Sequence, residues 1–257
     1  MLKRVEKLDP GNEAGLPADA HERLGKSVSL RGLQLAFGQR KVLENFNLDV
    51  PAQQFIAVVG RSGVGKSSLD AADRRSRPPT AGEVLIDDKP VTGLQKSVRL
   101  MFQDARLLPW QSVLSNVGIA RGPAGRRRRS PRCATSAWKT GRATGRRVLS
   151  GGQRQRVALA RVLVGHPSVL LLDEPFGALD ALTRAEMHAL LEKLWQKHLF
   201  TTVLITHDVA EAVALGDRVV VVRDGRVTFD VAVTTPRPRR RTDVQLAALQ
   251  AKILAEV

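Results

Sequence analysis

The densest chemistry in the chain lies in eight residues, Gly60-Arg61-Ser62-Gly63-Val64-Gly65-Lys66-Ser67. They read G-x-x-x-x-G-K-S, a spacing that suits a loop wrapped around the phosphates of a nucleoside triphosphate. Glycines let such a loop curl until successive backbone N–H groups aim at phosphate oxygens. Lys66 is then expected to reach the β- and γ-phosphates, and the Ser67 hydroxyl to ligate Mg²⁺. Ser68 follows directly and joins the expected ATP-binding set. The apolar, β-branched run Phe55–Val59 before the loop suits a buried parallel strand, so strand and Gly-rich loop come in the order the motif needs. A helix after the loop would turn its positive end toward the same anion.

Four further groups have residue types that could act on that anion. Asp173-Glu174 follows the apolar run Val169–Leu172. At a strand end, Asp173 could hold a metal shell, and Glu174 could orient and deprotonate an attacking water. His207 follows the β-prone run Thr202–Thr206, and Gln103 follows Val98–Phe102. Gln103 could contact the metal or the water. Ser150-Gly151-Gly152 precedes a helical pattern, so its N–H groups and the helix dipole could form a second anion site. A lone histidine or an acidic pair at a strand end is more often a solvated surface feature; what raises these above that reading is their order along one chain.

The elements that must position these residues are legible as alternating runs. Val28 to Phe37 and Val42 to Val50 read as two strands with a turn at Gly38-Gln39-Arg40-Lys41. Thr80–Ile86 reads as a turn and strand. A short helix is expected from Ser112 to Ile119, and a longer one from Leu149 to Val164. Met187, Leu190, Leu191, Leu194 and Trp195 recur at helical spacing and predict an amphipathic helix. Val219–Val222 and Val227–Val231 read as closing strands about Asp224-Gly225. Pro236–Arg241 reads as a basic hinge, with Thr242 capping a last helix through Leu246, Leu249, Ile253 and Leu254. Strands alternating with helices around a phosphate loop imply an α/β fold, a mainly parallel sheet with helices on both faces.

Composition bounds the partners. The chain has 257 residues, 43% of them hydrophobic, enough for one large α/β core. Its one cysteine, Cys133, permits no intrachain disulfide, which fits a reducing compartment. Residues 1–10 hold no apolar signal core, and no apolar run is long enough to span a bilayer, so a membrane role is expected to go through a partner. The net charge of +16 suggests nucleic acid, but residues 121–148, with nine arginines, one lysine and no acid, supply ten of those charges. A charge concentrated in one segment says little about the partner of the fold, and no nucleic-acid partner is expected.

In this order the motifs resemble those of the ATP-binding cassette (ABC) ATPases over roughly residues 27–235. Leu149-Ser150-Gly151-Gly152-Gln153 matches the family's five-residue signature, Val169–Asp173 its Walker B strand, Gly177-Ala178-Leu179-Asp180 its D-loop, and His207 its switch histidine. The resemblance implies a P-loop ABC-type nucleotide-binding domain with an antiparallel β subdomain and a helical subdomain at about 104–160. A polar extension would occupy 1–26, and a basic hinge and C-terminal helix 236–257. It implies ATP and Mg²⁺ as cofactors, ATP bound by Phe37, Gly60 to Ser67 and Ser68, and metal held by Ser67, Gln103 and Asp173. Glu174, His207 and Gln103 become the catalytic set. Phe37 is read either as a core or hairpin aromatic or, on the resemblance, as a platform for adenine. The signature residues would serve ATP on a second subunit, giving a head-to-tail homodimer. Leu100–Trp110 and DEPFGALDALTRAEM (Asp173–Met187) resemble the nitrate, sulfonate and taurine group of importers, and the tail PRPRRR (Pro236–Arg241) its aliphatic sulfonate branch. That implies integral membrane permease subunits, a periplasmic substrate-binding protein, and a peripheral place on the cytoplasmic face of the inner membrane. The competing readings are a non-transport cytosolic ABC ATPase acting on DNA or ribosomes, and a degraded copy that no longer hydrolyses ATP.

Two segments depart from the family. Asp70–Pro79 holds no Leu, Ile, Val, Phe or Met where a helix behind the phosphate loop should bury a stripe, and 121–148 holds no aliphatic residue larger than alanine except Val148. The flanking motifs keep about the family's spacing. Blockwise replacement at constant length, rich in Arg, Pro, Ala and Gly, reads as out-of-frame translation of GC-rich DNA between compensating indels; a true basic insert and a nucleic-acid-binding segment are the alternatives. Each aliphatic side chain missing from such a helix forfeits roughly 1.5–3 kcal/mol. Restoring an apolar amphipathic pattern at 69–76 is therefore expected to raise the melting temperature by many degrees in calorimetry. An unchanged melting temperature would contradict the out-of-frame reading.

Overall fold

The computed structural model describes residues 24–37, 40–60, 80–93, 95–121, 149–239 and 242–257, and only the backbone of Phe37, Arg40, Lys41 and Arg121. Arg61 to Ser68 of the phosphate loop, the segment 68–79, residues 122–148 and most of the N-terminal extension lie outside the described residues.

Two sheets form the frame. A four-stranded antiparallel sheet has the order β2 (Arg40–Val50), β1 (Val28–Phe37), β4 (Ala81–Ile86), β5 (Lys89–Pro90). Arg40 and Lys41 thus belong to a strand rather than to the expected turn. The second sheet has the order β10 (Arg226–Ala232), β9 (Arg218–Arg223), β3 (Phe55–Val59), β8 (Thr201–Thr206), β7 (Val169–Asp173), β6 (Val98–Met101). All its neighbours pair in parallel except β10 with β9.

The central sheet is buried on both faces, which is why its strands read as unbroken apolar runs rather than alternating ones. Phe55, Ala57 and Val59 of β3 face one core with Leu170, Leu172, Leu204, Val219 and Val221. Helices cover that face: α2 (Gly151–Leu163) contributes Val157 and Val162, α3 (Ala181–His198) Met187 and Leu191, α4 (Val209–Leu215) Ala212, and α5 (Val244–Glu256) Ile253. Before them, α1 (Val113–Gly118) begins at Ser112 and runs into a 3₁₀ turn at Ile119–Arg121. The alternate residues Ile56, Val58, Leu171, Val203 and Val220 face the antiparallel sheet through Leu33, Leu35, Phe46 and Leu48. The order is thus antiparallel sheet, parallel sheet, helices.

The C-terminal cap differs from expectation. Asp243, not Thr242, caps α5, its carboxylate accepting from the Gln245 N–H at 2.9 Å. Both residue types cap helices well, and Asp243 sits one position nearer the first free N–H.

Within the run Pro236–Arg241, read as a basic hinge, Arg237 and Arg239 turn inward. Arg239, 3% exposed, donates to the carbonyls of Thr235 (2.8 Å), Val213 (3.3 Å), Val233 (3.1 Å) and Gly216. Arg237 pairs with Asp217 at 2.7 Å and Glu192 at 3.1 Å, donates to the Leu215 carbonyl, and lies 4.6 Å over the Trp195 ring. Desolvation, then the neighbouring Arg237 charge, lowers the Arg239 pKa. These donors satisfy carbonyls at the C-terminal end of α4, which otherwise lack partners. Arg239→Ala strips several buried carbonyls of their donor and is expected to destabilise the protein by about 2–4 kcal/mol in denaturant unfolding. A loss below about 0.5 kcal/mol would mean that the strap is not part of the folded core.

Candidate active site

Because β3, β8, β7 and β6 run in parallel, their C-terminal ends come out at one rim. The register makes this close: Met101 pairs with Leu172, Asp173 with Ile205, and Thr206 with Val59. The next residues along each strand are therefore neighbours: Phe102 and Gln103 after β6, Glu174 after β7, His207 after β8 and Gly60 after β3. The rim beyond the carboxyl ends of parallel strands is where α/β sheets bind ligands.

Glu174 sits in the left-handed region, φ 42°, a strained conformation for a residue with a side chain. Its N–H donates to the Ile205 carbonyl at 2.9 Å, and its own carbonyl accepts from Gly177 at 3.3 Å. The end of β8 and the loop after β7 thereby fix the backbone. The carboxylate Oε1 comes within 3.2 Å of His207 Nδ1, with the side chains 19% and 56% exposed, so the pair is held by protein on one side and open to solvent on the other. Gln103 joins from the next strand. A Cβ at Gly177 would lie 3.4 Å from the Gln103 amide nitrogen and 3.9 Å from Glu174 Oε2, which puts all three around one point. Asp173 is partly exposed at the end of β7.

Gln103 is also gripped from behind. The buried Gln155 of α2 donates to the Gln103 carbonyl at 2.6 Å, and Arg161 of the same helix donates to the carbonyls of Ala105 (2.6 Å) and Arg106 (2.8 Å). That helix opens at Ser150 with a reciprocal cap. The Ser150 hydroxyl accepts from the Gln153 N–H at 3.2 Å, and the Gln153 side-chain oxygen accepts from the Ser150 N–H at 2.9 Å. Gly151 and the buried Gly152 form its first turn, and Arg154 donates to the Leu149 carbonyl at 2.8 Å. Asp180 caps α3, accepting from the Thr183 N–H at 3.0 Å and hydroxyl at 2.7 Å, bonds that hold its carboxyl below the ordinary carboxylate range.

The strand-end residues Gly60, Gln103, Asp173, Glu174 and His207 thus meet at one rim. Of Phe37, only the backbone at the end of β1 is described. Missed from sequence were Gln155, Arg161, Thr183, Arg184, Thr206, Asp208 and Glu211. One signal was available: Asp208-Val209-Ala210-Glu211 has capping-box spacing, and Asp208 does accept from the N–H groups of Ala210 (2.8 Å) and Glu211 (3.3 Å).

Comparison with known proteins gives the same reading. The sequence pattern of the ABC transporter family matches residues 43–177. The chain belongs to that family. It is 49% identical over 235 residues to the aliphatic sulfonates import ATP-binding protein SsuB of Escherichia coli K12, covering 91% of each chain. It is 49% identical over 242 residues to the SsuB protein of Pseudomonas fluorescens Pf0-1, covering 91% of this chain and 87% of that one. Among solved structures, a dimeric post-hydrolysis state of the ATP-binding cassette MJ0796 bound to ADP and phosphate superposes with a TM-score of 0.69 at 31% identity, covering 81% of this chain and all of that one. CbiO1 from Clostridium perfringens, part of an ABC transporter complex, superposes at 0.70 with 26% identity over 90% of this chain and 98% of that one. The ABC fold and nucleotide binding follow from membership. Among the described residues no helix is long and apolar enough to cross a membrane.

The first turn of α2 abuts the first turn of α3. A Cβ at Gly152 would lie 2.2 Å from the Thr183 methyl, far inside contact distance. Gly152→Ala is expected to cost about 1–3 kcal/mol in denaturant unfolding. Adding Thr183→Ser, which removes that methyl and keeps the hydroxyl on Asp180, should recover most of it. A double variant no more stable than the single one would show that the contact is not the cause.

Proposed function

We propose that this chain is the ATP-hydrolysing subunit of an importer of aliphatic sulfonates, working as a homodimer. The observation that carries the hydrolytic half is the approach of Glu174 to His207 beside the end of β3. Its similarity to proteins named for aliphatic sulfonate import supports the substrate half.

In this reading Gly60 to Ser67 and Ser68 hold the ATP phosphates, with Lys66 on the β- and γ-phosphates, and Phe37 stacks on adenine. Ser67, Gln103 and Asp173 offer a hydroxyl, an amide oxygen and a carboxylate, hard oxygen donors that suit Mg²⁺. The ion supplies charge neutralisation between the phosphates when bound. Glu174 accepts the proton of the attacking water, and His207 holds the carboxylate in orientation from the open side. The strained backbone of Glu174, fixed by two carbonyl contacts, keeps that base in place before substrate arrives. Leu149 to Gln153 present the start of α2 to ATP on the other subunit, and Asp180 flanks that junction.

The ATPase domain spans about 27–235, with its helical subdomain at about 104–160, between the extension 1–26 and the C-terminal part 236–257. It sits on the cytoplasmic face of the membrane against permease subunits, served by a periplasmic substrate-binding protein. The large exposed side chains Trp110, Leu114 and Ile119, just beyond Gln103, fit the permease-facing surface.

Glu174→Gln is expected to keep ATP binding, abolish most turnover and accumulate a closed dimer on ATP, read by phosphate release and gel filtration. Wild-type turnover in that variant would remove Glu174 from the role. Phe37→Ala should weaken ATP binding by about 1–2 kcal/mol in titration calorimetry, in line with aromatic stacking; a Phe37→Leu variant that binds as well as wild type would favour a plain core aromatic.

A further inference from the structure

A partly buried polar cluster lies behind the Glu174–His207 pair. Its centre is Arg184, on the first turn of α3. One of its terminal nitrogens donates to the Leu179 carbonyl at 3.0 Å, directly before Asp180. The other donates to Asp208 at 3.4 Å, and Nε lies 3.6 Å from Glu211. Glu211 is 3% exposed. Its second oxygen accepts from the Thr206 hydroxyl at 2.9 Å, and that hydroxyl accepts in turn from the Asp208 N–H at 3.0 Å. His188 completes the cluster, with Nε2 3.6 Å from Glu211 and its ring edge-on to Phe176, centroids 4.7 Å apart.

The partners of Arg184 named above lie on two segments. Leu179 lies on the loop 174–180, which begins with Glu174. Asp208, which caps α4, and Glu211, in the first turn of α4, follow His207, and Glu211 reaches back to Thr206 before it. A carboxylate buried this deeply is costly unless charge and hydrogen bonds compensate it. Here the Thr206 hydroxyl donates to it and the Arg184 charge lies 3.6 Å away, so displacing either element would leave the carboxylate uncompensated. The same loop carries Asp180, whose Thr183 contact abuts Gly152. One chain of contacts therefore runs from the first turn of α2 through Arg184 to Asp208, the residue after His207.

We propose that Arg184 and Glu211 are positioning residues that lock the loop 174–180 to the loop 206–208 and so hold His207 against Glu174. The proposal rests on the reading of Glu174 and His207 as the water-activating pair. Neither residue touches nucleotide, so their loss acts on turnover and leaves ATP binding nearly intact.

The test uses the full chain with Arg184→Gln, Arg184→Lys and the near-isosteric Glu211→Gln. At a temperature where each variant is folded by circular dichroism, Arg184→Gln and Glu211→Gln are expected to lower kcat at least tenfold, with KM for ATP within about twofold of wild type. Arg184→Lys, which keeps the charge and loses the fork, should fall between. The double variant should lose no more than the worse single one, because both cut the same link. A second readout needs no turnover: the His207 imidazole signals in ¹⁵N-edited spectra should shift in both glutamine variants, while those of His166 and His198 stay. Wild-type kcat in a folded Arg184→Gln or Glu211→Gln protein, or unmoved His207 signals, overturns the proposal. Should Arg184→Gln not fold, the milder Glu211→Gln decides by the same criteria. A wild-type chain without ATP turnover would remove the proposed function, and the imidazole signals alone would then decide this inference.

Discussion

The common direction of four strands is the constraint on which the site depends. A parallel sheet delivers all its carboxyl ends to one edge, and in-register pairing brings those ends level. Gly60, Gln103, Glu174 and His207 are separated by long stretches of chain, yet each needs only to follow its strand by one or two residues to reach the others. A shift of one residue in any strand would exchange its two faces, so that Phe55, Leu170 or Leu204 would meet the antiparallel sheet instead of the helices and the close packing of both cores would be lost. Packing on both faces therefore fixes the register, and the register fixes which residues meet at the rim.

Around that frame the polar groups divide by task. At the rim they face solvent: the Glu174–His207 pair is partly open. One layer back they are set deeper and hold the backbone. Gln155 and Arg161 of α2 hold the backbone after Gln103 from one side, and Arg184 and Glu211 hold the loops around His207 from the other. Arg239 and Arg237 do the same at the far end of α4, which begins at Asp208. Arginine suits these places because its planar fork binds several acceptors at once and stays charged when buried.

The strands and the rim were legible because their signals are local. Val169–Leu172 and Phe55–Val59 are continuous apolar runs, and a strand buried on both faces can hardly look otherwise. The motif residues then follow those runs directly. What sequence did not yield was long-range. Arg184 sits in a helix pattern as one more surface charge, and nothing local says that Glu211 waits for it. Arg237 and Arg239 read only as part of a basic hinge because their acceptors, Asp217, Glu192 and the carbonyls of Val213 and Gly216, are remote in sequence. The helix Val209–Leu215 is too short to show periodicity, leaving Asp208-x-x-Glu211 as its only mark. That mark half-misleads, since Asp208 caps the helix while Glu211 turns away to Thr206 and Arg184.

The central claim is that Glu174 and His207 act as one unit at the end of the parallel strands. A double-mutant cycle on ATP turnover, with Glu174→Gln, His207→Ala and the two combined, tests it most directly. If the pair is a unit, each single substitution removes most of the catalysis and the double variant is no slower than the worse single one. Losses that multiply, each substitution acting as though the other residue were absent, would contradict the account.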